Sequence, residues 1–120
     1  MSYVMAAAQK ISIEKFLVAV PARLESSRLT NKVLLDIGGK PMIRRVLERS
    51  SMAAGVDAVV LCTDSDYLKR LAEGWGYRVQ MTLADCTSGS HRIASVADEL
   101  MNIVWAEGQS DPFRTAVINV

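Results

Sequence analysis

Two cysteines, Cys62 and Cys86, and one histidine, His91, are all that the 120-residue chain holds of the side chains that build disulfide frameworks and zinc centres. There is no C-x-x-C pair and no companion histidine, so neither a disulfide scaffold nor a zinc site organises the chain, and both cysteines read as reduced thiols. An excess of charge is missing too. Fourteen Lys and Arg stand against 13 Asp and Glu, a net charge of +1. Nothing global therefore draws the chain to nucleic acid, a membrane or an acidic partner, and any anion site has to be built locally. No apolar run is long enough for a bilayer span. Residues 1–8 have an apolar centre but no basic leader, and Lys10, Glu14 and Lys15 follow closely. With no export signal, the expected compartment is the cytoplasm. The patterns G-x-x-x-x-G-K-S/T and G-x-G-x-x-G are also absent, which disfavours a P-loop kinase and a dinucleotide dehydrogenase.

What is present is enough for one globular domain. Half of the residues are hydrophobic, and a chain of this length buries roughly two thirds of its unfolded surface. Phe16 to Val20, stopped by Pro21, and Ala58 to Cys62 are continuous apolar runs of the kind found in strands covered on both faces. Tyr77 to Met81 and Thr115 to Val120 predict two further strands. Between them lie helical patterns. Met42, Ile43, Val46 and Leu47 recur opposite Arg44, Arg45, Glu48 and Arg49, after a Gly38-Gly39 turn and Pro41. Leu68, Leu71, Ala72 and Trp75 stand at i, i+3, i+4 and i+7, behind a cap from Asp64 or Ser65. Ile93, Val96, Ala97, Leu100 and Val104 predict one helix running from a cap at Ser88 or Ser90. Strands alternating with helices predict a mostly parallel sheet with helices on both faces, a doubly wound α/β unit. Residues 1–15 read as an N-terminal extension and residues 16–120 as the folded portion.

In such sheets ligands collect at the carboxyl ends of the strands. The segment leaving the first strand, Pro21-Ala22-Arg23-Leu24-Glu25-Ser26-Ser27-Arg28-Leu29-Thr30-Asn31-Lys32, holds three cations against one acid. Guanidinium forks and a lysine are what a polyphosphate binds, with Ser26, Ser27 and backbone amides as neutral donors. On charge spacing alone the same segment also reads as a solvated basic loop.

The string VPARLESSRLTNKVLLDIGGKPMIRRVLERS resembles the opening of the cytidylyltransferases that activate 3-deoxy-manno-octulosonate (Kdo), with the approximate pattern P-A-R-x-x-S-S/T-R-L-P-x-K-x-L-x-x-I-x-G-K-P-M-I. Val60-Leu61-Cys62-Thr63-Asp64 is similar to that family's second strand and its Thr-Asp end. Met81-Thr82 and Thr87-Ser88-Gly89-Ser90-His91-Arg92 are similar to its M-T-x-x-x-H-x-S-G-T-E/D-R segment, and Val117-Ile118-Asn119-Val120 to the strand before its Q-G-D-E-P motif. The resemblance spans about residues 16 to 120. It implies a Rossmann-like, three-layer α/β/α nucleotidyltransferase fold, incomplete at its C-terminus, that transfers CMP from CTP to a Kdo-like acidic sugar in the lipopolysaccharide precursor pathway. Mg2+ is the implied cofactor, and a homodimer the implied state of the full-length enzyme.

Carried over by residue, the resemblance assigns Arg23, Arg28 and Lys32 to the triphosphate as the catalytic cations. Pro21 and Ala22 join them in lining the nucleotide pocket. Ser88, Gly89 and Ser90 fall at the cytosine and ribose, and Arg92 takes a nucleotide or structural role. Departures are Thr30 for a proline, Cys86 for a histidine, Ser90 for a threonine and His91 for an acid. His91 reads as a partly exposed residue of a first helical turn, and Asp36 and Asp64 as turn or cap residues. The family's metal-binding aspartate falls beyond Val120, so no metal ligand is expected here and the 120-residue chain alone is expected to be inactive. Two alternatives remain: a CMP-sugar synthetase for another acidic sugar (amino-Kdo, a sialic or other nonulosonic acid), or a noncatalytic nucleotide-binding or assembly fragment.

Overall fold

A computed structural model describes residues 13–24 and 32–120. The residues expected to form the N-terminal extension up to 12, and Ser26, Ser27, Arg28 and Thr30, lie outside the described residues. The four predicted strands are present: β1 (Lys15–Pro21), β4 (Ala58–Thr63), β5 (Arg78–Met81) and β6 (Thr115–Asn119). They form one sheet in the order β5-β4-β1-β6, every neighbouring pair parallel. Between β1 and β4 the chain makes a two-residue antiparallel pair, β2 (Asp36–Ile37) with β3 (Lys40–Pro41).

The period-two geometry of a strand divides the core into two layers. Val18, Val20 and Leu61 face α1 (Met42–Ser51) and α2 (Asp66–Gly74), meeting Ile43, Leu47, Leu68 and Ala72. Leu17, Ala19, Val60 and Cys62 face the other way onto Val96 and Leu100. This is the expected α/β/α arrangement. The chain builds outward from β1 to β4 to β5, then crosses back under the opposite face to place β6 on the far side of β1. The reversal leaves a crevice at the carboxyl ends of β1 and β6, where an open α/β sheet binds its ligands.

One expectation changes. The helix foreseen from Ser88 or Ser90 to Val104 is two, α3 (Gly89–Ser95) and α4 (Ala97–Val104), joined at Val96 with φ −121° and ψ 26°. The Ser95 hydroxyl donates to the Arg92 carbonyl at 2.7 Å, a local bond that competes with the helical ladder. Turning at the β-branched Val96 keeps Ile93, Val96 and Leu100 all against the sheet.

The Gly38-Gly39 turn has both φ values positive, +61° and +91°, the pattern of a tight type I′ hairpin that only glycine adopts without strain. Arg45 clamps it, Nε donating to Ile37 O at 2.6 Å and Nη2 to Gly38 O at 2.7 Å. Lys40 Nζ donates to both Glu48 carboxylate oxygens, at 3.1 and 2.9 Å, and this bond holds the Glu48 carboxyl below its ordinary range. Helix α2 is capped by Ser65, whose hydroxyl accepts from Leu68 N–H at 3.1 Å. Asp64 is thereby left for another partner. Arg44 of α1 lies over the Trp75 ring, 5.2 Å from its centroid, which ties α1 to the end of α2.

Both thiols are free and buried. Burial under the sheet pushes the Cys62 thiol up to about 11, against a smaller opposing pull from Arg92. A thiol raised in the folded state stabilises fully below the ordinary thiol range and ceases to stabilise as pH rises through the folded value. Urea unfolding at stepped pH is therefore expected to show stability falling between about pH 9 and about pH 11. In Cys62→Ala that component of the fall should be missing; identical pH curves for both proteins would refute the assignment.

Candidate functional site

The crevice is built by the end of β1 meeting the start of α3. β1 runs to the sheet edge at Pro21, and Ala22 N–H still donates to Cys62 O at 3.0 Å, so the departing chain stays registered on β4. Arg23 then emerges into solvent. Lys32 opens a single 3-10 turn, Lys32–Leu34, packed against α1. A cavity of about 290 Å3 lies between these segments and the loop entering α3. One side is Pro21, Ala22, Arg23, Lys32 and Val33; the other is Cys86, Thr87, Ser88, Gly89 and Arg92.

The two walls approach as far as sterics allow. A Cβ on Gly89 would stand 2.9 Å from Pro21 Cγ and 3.4 Å from Pro21 Cβ, closer than side chains pack. Glycine is required here by contact, whatever its backbone angles.

Arg92 is 3% exposed, unusual for a cation unless it is paired. Its Nη1 donates to the Thr82 hydroxyl and to Leu83 O at 3.1 Å, and stands 3.8 Å from Asp64 Oδ1. One guanidinium thus joins the end of β4, the segment after β5 and α3. Among the described residues no buried side-chain nitrogen or oxygen lacks a partner, so this burial is compensated.

The loop entering α3 is capped at both ends of its turn. Ser88 is the N-cap, its hydroxyl accepting from His91 N–H at 3.0 Å. His91 Nδ1 in turn lies 3.0 Å from Thr87 N and 3.2 Å from Thr87 Oγ1. The Ser90 hydroxyl accepts from Asn119 Nδ2 at 2.9 Å, joining the first turn of α3 to the end of β6.

The structure therefore brings Pro21, Ala22, Arg23, Lys32, Ser88, Gly89 and Arg92 to one cavity. It does not bring Ser90 to the wall: that side chain is spent on Asn119, on the other side of the first turn. Arg28 lies outside the described residues. Three cations and no carboxylate are found among the described lining residues, so a neutral chain presents a locally positive pocket, the field a polyanion needs. Sequence reading missed Val33 and Thr87 in the lining, the anchoring of Arg92 by Thr82 and Leu83, and the Asp64 contact, where a cap or turn role was expected. Asp36, expected at a cap or turn, instead lies in strand β2 opposite Pro41, ahead of the Gly38-Gly39 turn.

A parallel α/β sheet with a cationic pocket where its strand order reverses is an α/β fold whose pocket suits an anionic ligand. The chain matches the family described as Cytidylyltransferase over residues 17–111, and it belongs to that family. It is 53% identical over 85 residues to a 3-deoxy-manno-octulosonate cytidylyltransferase of Thioalkalivibrio sulfidiphilus, a match covering 71% of this chain and 34% of that protein. It is 46% identical over 81 residues to an 8-amino-3,8-dideoxy-manno-octulosonate cytidylyltransferase of Shewanella sediminis, covering 68% of this chain and 33% of that protein. Among solved structures it is similar to CMP:2-keto-3-deoxy-manno-octonic acid synthetase complexed with CTP, with a TM-score of 0.68 and 41% identity over 72% of this chain and 36% of that one. The chain thus spans about a third of the length of the relatives it matches.

Removing the Arg92 guanidinium leaves the Thr82 hydroxyl, the Leu83 carbonyl and Asp64 without their shared donor. Arg92→Ala is expected to cost about 3 kcal/mol of folding stability, and Arg92→Lys to recover only part of it, since an ammonium lacks the planar fork. Denaturant melts of the three proteins check this; an Arg92→Ala protein as stable as wild type would remove Arg92 from its structural role.

Proposed function

We propose that the pocket binds CTP and that the protein serves the transfer of CMP from CTP to 3-deoxy-manno-octulosonate, a step toward lipopolysaccharide. The observation that carries the reading is the cavity itself: about 290 Å3 at the strand reversal, lined by Arg23, Lys32 and Arg92 with no carboxylate among the described lining residues. Membership in the cytidylyltransferase family supports it, as do relatives named for Kdo activation.

In this reading Arg23 and Lys32 meet the triphosphate, joined by Arg28 on the strength of the resemblance. Pro21, Ala22, Ser88 and Gly89 shape the nucleoside end, where the contact between Gly89 and Pro21 leaves only a narrow slot. A hydroxyl oxygen at the anomeric centre of the sugar attacks the α-phosphorus in line, its proton passing to solvent, and the new P–O bond forms as the bond from the α-phosphorus to the bridging oxygen breaks and pyrophosphate leaves. The cations act by neutralising the charge that grows on the leaving pyrophosphate. Arg92 is engaged with protein partners and holds the wall.

Mg2+ is the proposed partner of the triphosphate. The described residues do not build a seat for it: no group of three or more His, Cys, Asp and Glu is gathered among them, and Asp64 faces Arg92. The charge neutralisation argued above rests on Arg23 and Lys32, joined by Arg28 on the strength of the resemblance. With no carboxylate among the described lining residues of the pocket, the 120 residues by themselves are proposed to bind CTP without turning it over. A cytoplasmic location and a homodimeric full-length enzyme complete the proposal. Among the described residues no helix is long and apolar enough to cross a membrane.

A second acceptor has specific support. One relative of nearly equal similarity is named for the 8-amino sugar, so amino-Kdo competes with Kdo, and a panel of acidic sugars offered to the complete protein decides between them. Lys32→Ala in that protein is expected to lower turnover about 100-fold, the scale of one lost charged donor in an active site. Measured kcat with saturating CTP and sugar checks this, and wild-type turnover in the variant would overturn the phosphate role of Lys32.

A further inference from the structure

We propose that His91 is a positioning residue for the nucleotide pocket, a role that rests on the CTP reading above: its neutral imidazole holds the wall from Thr87 to Gly89 in place through the Thr87 backbone. The side chain stands in the first turn of α3, exposed and outside the pocket lining. A backbone N–H only donates, so the Nδ1 that lies 3.0 Å from Thr87 N accepts, and the ring carries its proton on Nε2. At the same time His91 N–H donates to Ser88 Oγ at 3.0 Å. The two bonds run in opposite directions. Ser88 reaches forward to cap the helix, and His91 reaches back past Ser88 to the residue before the cap. The arrangement is a capping box displaced outward by one residue. What it fixes is the wall: Thr87, Ser88 and Gly89 all line the cavity, and Gly89 stands where a Cβ would meet Pro21.

The clamp depends on charge. A protonated imidazole has no acceptor; it would lose the Thr87 N–H and keep only a donor contact to the Thr87 hydroxyl, 3.2 Å from Nδ1. Among the described residues no carboxylate or cation pairs with the ring. Arg92 turns inward to Thr82, Leu83 and Asp64. Asp85 and Cys86 belong to the same loop without bonding the ring, the Cys86 thiol lying 3.9 Å from Ser95 Oγ. Arg23 and Lys32 stand on the opposite wall. An imidazolium here would also attract a triphosphate, which opposes the loss of the clamp. Affinities are therefore compared among variants at one pH above the imidazole range.

The 120-residue chain has a single histidine, so its ring resonance is unambiguous. In a first arm, NMR follows the His91 ring proton and the Thr87 amide from about pH 8.5 down to about pH 5. The two are expected to share one midpoint, and the Thr87 transition to vanish in His91→Asn. In a second arm, calorimetry at about pH 8.5 measures CTP binding, with the thermal midpoint recorded alongside. His91→Ala is expected to raise Kd about three- to tenfold, the scale of one lost hydrogen bond. His91→Asn, whose Oδ1 accepts without titrating, is expected to restore wild-type affinity. A Thr87 amide that ignores the imidazole titration overturns the clamp. An unchanged Kd in His91→Ala, or a loss that His91→Asn does not repair, overturns the positioning role. Failure of the wild-type chain to bind CTP overturns the proposed function and the positioning role with it, and the first arm tells that failure from failure of the clamp.

Discussion

Strands β1 and β4 are covered on both faces, and most of the architecture follows from that burial. A strand with apolar side chains on both sides has to be roofed twice, which a parallel sheet achieves by sending each crossover over one face or the other. Here α1 and α2 cover the face of Val18, Val20 and Leu61, while α3 and α4 cover that of Leu17, Ala19, Val60 and Cys62. Covering both faces requires the direction of winding to reverse once, and it reverses beside β1. The crevice accompanies the same reversal: the segment leaving β1 and the segment between β5 and α3 flank it without filling the space between them.

Keeping that crevice open at the right width takes polar work at the carboxyl edge. Thr63 is fully buried, accepting from Ser65 N–H at 3.2 Å through its hydroxyl and from Thr82 N–H at 2.9 Å through its carbonyl. Arg92 spans the same edge from beneath. A guanidinium in that position is costly to bury, and truncating a compensated buried cation is costlier still, because its partners are left unsatisfied. The cost of holding the loops apart thus falls on residues behind the pocket, leaving Arg23 and Lys32 exposed at its front as hydrated, mobile charges.

The strands and the first two helices were legible in the sequence because each carries a local signal: an unbroken apolar run for β1 and β4, a 3.6-residue period for α1 and α2. The strand bounds came out within a residue of the apolar runs, and the sheet's parallel sense followed from the alternation of strands with helices. The break at Val96 was not legible, since Ile93, Val96, Leu100 and Val104 keep helical spacing straight through it; it coincides with one hydroxyl, Ser95, bonding three residues back. At the site, motif resemblance located the cavity's walls, and the structure brings seven of the named residues together around it. It gave no sign that Ser90 turns away to Asn119, that Asp64 yields the cap to Ser65 and faces Arg92, or that Thr82 and Leu83 anchor Arg92. Those pairings join segments distant in sequence, and no spacing rule encodes them. Arg28, the middle cation of the basic segment, lies outside the described residues.

The departures from the family pattern have physical consequences of unequal weight. Ser90 keeps the hydroxyl of the threonine it replaces, and that hydroxyl bonds Asn119; losing a methyl there leaves the bond intact. By the resemblance His91 stands where the family carries an acid, beside the Thr87–Gly89 wall that is proposed to shape the nucleoside end. A neutral imidazole accepts a backbone N–H as a carboxylate does, while removing one negative charge from the edge of a pocket whose binding rests on positive charge. Coulomb energy between two unit charges about 8 Å apart is roughly 0.5 kcal/mol in water and several times larger at a protein surface, so the exchange favours a polyanion without altering the wall's shape. Cys86 is the substitution with the greatest reach into the cavity, because it is buried and part of the lining. A thiol packs as a small apolar group where an imidazole would have offered a hydrogen bond. The groups that wall offers a ligand are therefore the backbone and hydroxyls of Thr87, Ser88 and Gly89, so in the proposed reading the fixing of those three residues by the cap counts for more than the identity of any single side chain among them.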